Sequence, residues 1–427
     1  MRPDSNDRWP NLGLLALVVS AGGLLSGLFL ALNFAPTLDA AHDSVAYIEN
    51  QVALGRFLRG LHHWSGTLAL SLAALHGLRL FWNGGYKRPR RALWVLGSLL
   101  LLVLVGFAYT GYLLPGDERA ITGMGVMAGV AGSTPIVGEA ASKLARGGDV
   151  VSSATLTRLY VMHTMLLPGA LLCLLGAFLA FWRKTDGARR DFGINLARNA
   201  AGAAAVLVLL ALLAWLLPPA LGPKADPTGS GSPDAKPEWF FLWINELLFL
   251  LPRAKFLVGA VLPGVLVAAA IGLPWIRPGK EARPAHRRGE IAVAAAIVVC
   301  IAGLTIGSLA AHARAEQAEE GSAATTAEPA ADLGFEERAT MLLKKFRCTS
   351  CHRIDGAEAP DEAGPPLDRK ATADLPAFSD LYSRAFFRLK VADPAKFWAD
   401  TGMHYTPKRL RPKPAELKTL ERWFYGD

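Results

Sequence analysis

Histidines at helical spacing and one close cysteine pair carry the chemistry that this sequence can be expected to do. His62 and His76 lie fourteen residues apart in the apolar run from Arg59 to Arg79. Fourteen steps of an α-helix make almost four whole turns, so both imidazoles face one way, about 21 Å apart along the axis. Ionisable side chains on a membrane-length helix are costly unless they are used; the plainer use is one satisfied polar contact near each interface. The same interval recurs in glycine, with Gly13 and Gly27 in the first apolar segment and Gly97 and Gly111 in the third. Glycine lets a flat bulky group approach the backbone closely. A four-helix bundle with paired histidines on two helices and paired glycines on the others would hold two haems stacked across a membrane. Bundle cores house such cofactors, and histidine is an ordinary axial ligand of haem iron.

The cysteine pair is Cys348-Thr-Ser-Cys351-His352. Two cysteines with a histidine directly after the second can form thioethers to a covalent haem c, with His352 as axial ligand. The competing readings are a zinc knuckle and a disulfide. Zinc would want a second ligand pair nearby, and the sequence has none. The sixth ligand is expected downstream, at Met403 in Thr401-Gly-Met-His-Tyr-Thr-Pro407, ahead of a helix-like run from Pro414 to Tyr425. His404 is the competing ligand.

The elements that must position these residues are membrane helices. The chain has 427 residues, 52% hydrophobic and 19% charged, with a mean hydropathy of +0.28. That is too apolar for an ordinary soluble protein. Seven segments reach spanning length, at about 11–33, 59–82, 92–114, 157–182, 198–218, 255–276 and 290–311. The first is read as a helix that stays, not as a cleaved signal. The formal charge of +9 sits in short loops between the apolar runs, which argues against nucleic acid as a partner. The loops 83–91, 183–198 and 277–289 are basic and fall on one side. The positive-inside rule puts that side, and the N-terminus, in the cytoplasm. Loops 34–58, 115–156 and 219–254, and everything after 311, then lie outside. Cys173 and Cys300 are read as inert core thiols.

The expected architecture is an all-α membrane protein. Residues 1–197 form the haem-binding four-helix bundle, and 198–312 add three further transmembrane helices. Residues 313–333 form a flexible tether rich in Ala, Glu, Ser, Thr and Gly, and 334–427 a small all-α domain around the cysteine pair.

Several stretches resemble cytochrome b of the quinol-oxidising cytochrome bc complexes, over about 11–311, with a class I cytochrome c domain fused behind. Ser26-Gly-Leu-Phe-Leu-Ala-Leu and Asp43-Ser-Val-Ala-Tyr-Ile48 resemble the first helix and the loop after it. His62-His-Trp-Ser, Gly84-Gly-Tyr-Lys-Arg-Pro-Arg90 and Gly111-Tyr-Leu-Leu-Pro115 resemble the split, photosynthetic type, as do Thr155-Leu-Thr-Arg158 and His163-Thr-Met-Leu-Leu-Pro168. Pro237-Glu-Trp-Phe240 matches the family's Pro-Glu-Trp-Tyr signature, with Phe240 in the last place. The two halves that are separate subunits in the photosynthetic complex stand here in one chain. Class I cytochromes c place their methionine before a final helix, as Met403 is placed, and Gly364-Pro-Pro-Leu367 resembles the loop that packs on their haem edge. Gly116 departs from the family, which usually has Trp there.

The resemblance implies that His62 and His163 ligate the outer haem b. It implies a quinol pocket beside that haem, walled by Pro237, Glu238, Trp239 and Phe240, where Glu238 accepts a proton from the quinol hydroxyl. Tyr160 either lines that pocket or packs nearby. The resemblance would pair His76 with a histidine fourteen or fifteen residues after His163. Those positions are Ala177 and Phe178, and no histidine lies in 164–285. Three readings follow: a five-coordinate haem on His76, no inner haem, or a ligand from another chain or from His286. Arg79 suits an inner haem propionate, or a positive-inside anchor.

The implied activity is that of a quinol:cytochrome c oxidoreductase subunit. One electron passes through a borrowed Rieske iron–sulfur protein to the haem c, and then to a soluble cytochrome or terminal oxidase. The other enters haem b. A homodimer in the bacterial cytoplasmic membrane, bathed by lipid, is implied with it. Two rivals stand beside this reading. One is a haem-containing electron-transfer anchor without quinol catalysis, against which Pro237–Phe240 weighs. The other is a transporter with an appended haem sensor domain, against which the fourteen-residue pairs weigh.

Overall fold

A computed structural model describes residues 11–184, 196–225, 235–279, 282–325, 334–345 and 414–425. Among these residues the regular elements are all helices, with one isolated bridge between Asp117 and Lys224. Cys348, Cys351, His352, Met403, His404 and Gly364–Leu367 lie outside the described residues. The chain divides into two compact units, Met1–Leu309 and Ala310–Asp427.

In the first unit, helix α1 (Leu12–Ala31) starts where the Asn11 side chain accepts the free N–H groups of Gly13 and Leu14. After the short α2 (Leu38–Gln51), α3 (Gly55–Trp82) and α4 (Arg91–Tyr112) form an antiparallel pair. Two short helices follow, α5 (Glu118–Gly132) and α6 (Gly138–Arg146), and then α7 (Ser153–Val161) runs through a π-turn into α8 (Leu167–Lys184). The last helices of the unit are α9 (Leu196–Leu216), the short α10 (Leu242–Leu250), α11 (Leu262–Ile276) and α12 (Arg288–Thr325), which runs on past the unit boundary.

Six spans among the described residues are long and apolar enough to cross a membrane: Leu12–Ala31, Arg91–Tyr112, Ser153–Lys184, Ala197–Leu216, Leu257–Ile276 and Arg288–Ala310. The sequence reading counts α3 as a seventh. With 28 residues α3 is long enough, but His62, His63 and His76 lower its hydropathy. It is packed between α1, α4 and α9. Leu15 and Val19 of α1, Ala69 of α3 and Val206 and Leu210 of α9 form the buried core at that junction. Small residues allow the close approach: a Cβ on Gly60 would stand 2.7 Å from the Ala214 carbonyl oxygen.

Cys173 and Cys300 depart from expectation, since both thiols are free and exposed and not in a core. Their helices are apolar all round, so periodicity cannot tell a bundle-facing side from a lipid-facing one. The tether expected from residue 313 begins as helix, because α12 continues to Thr325 through a run rich in Ala, Glu and Gln.

Two π-turns interrupt the long helices, at Met162–Leu166 and Leu257–Val261. In each the next N–H, of Leu167 or Leu262, reaches back five residues to Met162 or Leu257. Each is followed by Leu-Pro, at Pro168 and Pro263. Proline has no N–H for the i−4 carbonyl and its ring clashes with it, and a π-turn is one way for the helix to continue past that break.

The early and late helices are tied by side chains that donate to backbone carbonyls. Trp64 Nε1 donates to Leu217 O at 2.8 Å, Arg59 to Pro219 O at 2.6 Å and Trp94 Nε1 to Ala270 O at 2.7 Å. Lys87 Nζ donates to Arg277 O at 2.9 Å, and Arg287 grips the carbonyls of Phe81 and Trp82. Arg287 is buried over the Tyr86 ring, and Tyr86 donates its hydroxyl proton to Glu290. The basic loops 83–91 and 277–289 therefore meet at the C-terminal end of α3. Loops from the other set meet at its N-terminal end, where Arg59 contacts Pro219 and pairs with Glu49.

In the second unit, α13 (Phe335–Lys345) packs on α14 (Pro414–Tyr425), the helix expected after Met403. Ala339, Leu342 and Leu343 bury against Leu420, Trp423 and Phe424, and Trp423 Nε1 donates to Glu336 at 3.1 Å.

Candidate functional site

His62 and His163 are brought together across the bundle, with ring centroids 5.9 Å apart and planes at 72°. α3 carries the first, and the π-turn between α7 and α8 carries the second. Metal–imidazole bonds are about 2 Å long, so this separation suits two rings sharing one ion.

The outer nitrogens of both rings are held. His62 Nδ1 lies 2.9 Å from the Gly23 carbonyl oxygen. A carbonyl only accepts, so Nδ1 carries the hydrogen and Nε2 keeps its lone pair. His163 Nδ1 lies 2.9 Å from Thr110 Oγ1, whose own hydrogen is directed to Gly106 O at 2.8 Å. Thr110 thus accepts from His163, and Nε2 again keeps its lone pair. Such partners fix tautomer and ring orientation at metal sites.

The glycines expected to line the bundle meet these rings. A Cβ on Gly27 would come within 2.8 Å of His62 Cε1, one on Gly111 within 2.9 Å of His163 Cε1, and one on Gly13 within 2.9 Å of His76 Nε2. Gly97 meets nothing within 4 Å. The outer half therefore fits a haem with two imidazole ligands: two free Nε2 atoms, two anchored Nδ1 atoms and two bare backbone walls. The inner half does not fit two ligands. His76 Nδ1 is buried without a hydrogen-bond partner among the described residues. Cys173 is exposed, and so is the His286 side chain in the short turn Pro284–His286. Arg79 stands three residues after His76 on α3.

The second part of the site is the segment Pro237–Phe241. Glu238 precedes a single 3-10 turn, Trp239–Phe241, closed by Phe241 N–H to Glu238 O at 2.9 Å. Its carboxylate is 17% exposed and lies 3.5 Å from the Arg119 guanidinium. Burial pushes the Glu238 carboxyl above the ordinary carboxylate range; Arg119 pulls it back, Asp117 pushes it further, and Arg59 pulls it back. Asp117 is buried and caps α5 by accepting from Ala120 N–H at 2.9 Å. Trp239 is exposed, and Phe240 stands edge-on to both Trp239 and Phe241.

Residues that the sequence reading did not single out complete this region. Phe241 packs on Tyr109 at 5.6 Å and on Tyr112 at 5.9 Å. Phe107 packs edge-on to His163 at 5.4 Å. The last two turns of α4 thus touch the His163 ring with Phe107 and Thr110, and the Glu238 segment with Tyr109 and Tyr112. Tyr160 does not take part in that contact; it stacks on Phe34 at 5.6 Å. Gly116 has φ +66°, which explains why a glycine stands there and not a bulky residue.

Comparisons with known proteins show which family this chain resembles. The family described as Cytochrome b(N-terminal)/b6/petB matches residues 67–220. The menaquinol:cytochrome c reductase cytochrome b subunit of Bacillus subtilis (strain 168) is 39% identical over 173 residues, 40% of this chain and 77% of that protein. Cytochrome b6 of Heliobacterium mobile is 41% identical over 157 residues, 37% of this chain and 74% of that one. The cytochrome bc complex cytochrome b subunit of Chlorobaculum thiosulfatiphilum is 32% identical over 282 residues, 63% of this chain and 65% of that one. A solved structure titled "Hyperthermophilic respiratory Complex III" superposes with a TM-score of 0.60 at 25% identity, covering 70% of this chain and 83% of that chain.

Proposed function

This chain belongs to the cytochrome b/b6 family, and from that premise we propose that it oxidises quinol at the outer membrane face as a cytochrome b/c fusion subunit. It is a multi-pass membrane protein of the bc type. The observation that carries the proposal is the double contact of α4, with His163 on one side and the Glu238 segment on the other.

His62 and His163 would hold the outer haem b through Nε2, with Gly27 and Gly111 making room for the two imidazole rings. Bound there, haem supplies a one-electron acceptor buried in the bundle. Quinol oxidation releases two protons and two electrons. Pro237, Glu238, Trp239 and Phe240 form the pocket wall, and Glu238 takes one proton from the quinol hydroxyl at the carboxylate oxygens. Its partial burial matches it to that task, because a raised carboxyl holds a proton nearer neutral pH. Arg119, half-exposed beside it, gives the carboxylate an orientation and a route outward. The electron that does not enter the bundle goes to a Rieske iron–sulfur partner. Cys348, Cys351, His352 and Met403 would hold a haem c, which would supply the one-electron carrier that follows the Rieske partner. A soluble cytochrome or terminal oxidase follows. We place the basic loops 83–91 and 277–289 in the cytoplasm, the Glu238 pocket and the second unit outside a bacterial inner membrane, and the chain in a homodimeric complex.

The test is Glu238→Gln in the purified complex. Quinol:cytochrome c turnover is expected to fall by about a hundredfold or more, with haem b and haem c contents unchanged. Retained turnover with intact haems would favour an electron-transfer anchor without quinol catalysis.

A further inference from the structure

His62 and His76 of α3 are not equivalent. His62 faces a second imidazole and donates Nδ1–H to the Gly23 carbonyl, four residues before the Gly27 that touches its ring. His76 also stands against a glycine, but it turns Nε2 and not Cε1 toward Gly13. His76 Nδ1, though buried, has no hydrogen-bond partner among the described residues.

Nor does α8 bring a second ligand. A straight helix returns to the same face after about fourteen residues, which from His163 is Ala177. His163 lies inside a π-turn, however, and a π-turn spends one extra residue per turn. The residue in register with His76 is therefore Phe178, fifteen residues after His163 and half-buried. Phenylalanine offers no lone pair. Cys173 lies five residues short of it with an exposed thiol, and Gly97 across the bundle meets no heavy atom within 4 Å.

We propose that the inner half of the bundle offers iron a single protein nitrogen, from His76, and that the haem held there keeps an open sixth position for small exogenous ligands such as carbon monoxide, cyanide or imidazole. This rests on reading the bundle as haem-binding. The outer haem, saturated by His62 and His163, is inert to the same ligands.

The test uses the full-length protein with its haems. Pyridine haemochrome spectra separate haem b from haem c, carbon monoxide difference spectra of the reduced protein find the open position, and low-temperature EPR of the oxidised protein reports spin state. The expected result is one carbon monoxide-reactive, high-spin haem b beside one inert, low-spin haem b. Phe178→His should supply the missing nitrogen, convert the high-spin signal to low-spin and cut the carbon monoxide response to about a tenth or less. His76→Leu should remove the reactive haem and spare the inert one. Two inert low-spin b haems in the wild type, or one b haem only, would overturn the proposal. Absence of the inert low-spin haem would instead sink the reading of the His62–His163 pair.

Discussion

Thr110 accepts a hydrogen bond from His163 Nδ1 at 2.9 Å while its own hydroxyl hydrogen goes to the Gly106 carbonyl. One threonine thereby sets which nitrogen of the imidazole is bare. Thr110→Val keeps the shape and removes the acceptor. Losses of about 10- to 100-fold in metal affinity accompany removal of such partners. Outer haem b is expected to wash out of the variant during detergent purification, while Thr110→Ser keeps it. Full haem retention in Thr110→Val would show that packing alone orients His163.

The glycines give a matched comparison. A methyl group on Gly27 or Gly111 must displace the ligand ring it meets at 2.8 or 2.9 Å, whereas one on Gly97 meets nothing. Gly27→Ala and Gly111→Ala should each lower outer haem b content, by several-fold or more. Gly97→Ala should leave that haem untouched. The reduced α-band per chain decides it.

The pH dependence of quinol oxidation has a definite sign. Burial raises Glu238, so the carboxylate that accepts the proton appears only above a raised pKa. The acidic limb of the kcat/KM profile should lie above the ordinary carboxylate range. Arg119 is the stronger of the two charges that lower Glu238. Arg119→Gln should therefore move the limb to higher pH, and Arg119→Lys should restore most of the shift. A limb that ignores both variants would remove Glu238 from the proton path.

Arg287 tests the inner end of the fold. It is buried, bonded to the carbonyls of Phe81, Trp82 and Ala282, and 4.0 Å from Glu290. Breaking a buried ionic cluster by removing one partner costs about 3–5 kcal/mol. Arg287→Ala should lower the thermal midpoint in detergent markedly. Tyr86→Phe, which removes one hydroxyl from Glu290, should cost about 1–3 kcal/mol. Equal midpoints for Arg287→Ala and wild type would make this cluster a surface ornament.

Some of this was legible in the sequence, for identifiable reasons. His62, Gly27 and Gly111 stand out because helical spacing is arithmetic, and a polar side chain in an apolar run is conspicuous. Glu238 stands out through its neighbours Pro237 and Trp239. The meeting of loops 83–91 and 277–289 follows from charge. Thr110 carries no such signal, since a threonine in a membrane helix usually serves its own backbone. Phe107, Tyr109, Tyr112 and Phe241 are aromatics among other apolar residues, and only their contacts single them out. Arg119 looks like any arginine on a polar loop. Pro168 does announce a break in its helix, but not that the break would be a π-turn, so sequence alone leaves Ala177 and Phe178 both open.

The bonds from Trp64, Arg59, Trp94 and Lys87 across the early and late helices all end on backbone carbonyls, as do those from Arg287 to Phe81 and Trp82. A carbonyl is the same group whatever side chain its residue bears. The accepting residues Leu217, Pro219, Ala270, Arg277 and Phe81 are therefore free to drift over evolution without breaking these joints. Only the donors are constrained. Two separately encoded halves could keep their fit while most of the receiving surface changed, and joining them would raise their local concentration without requiring a new contact.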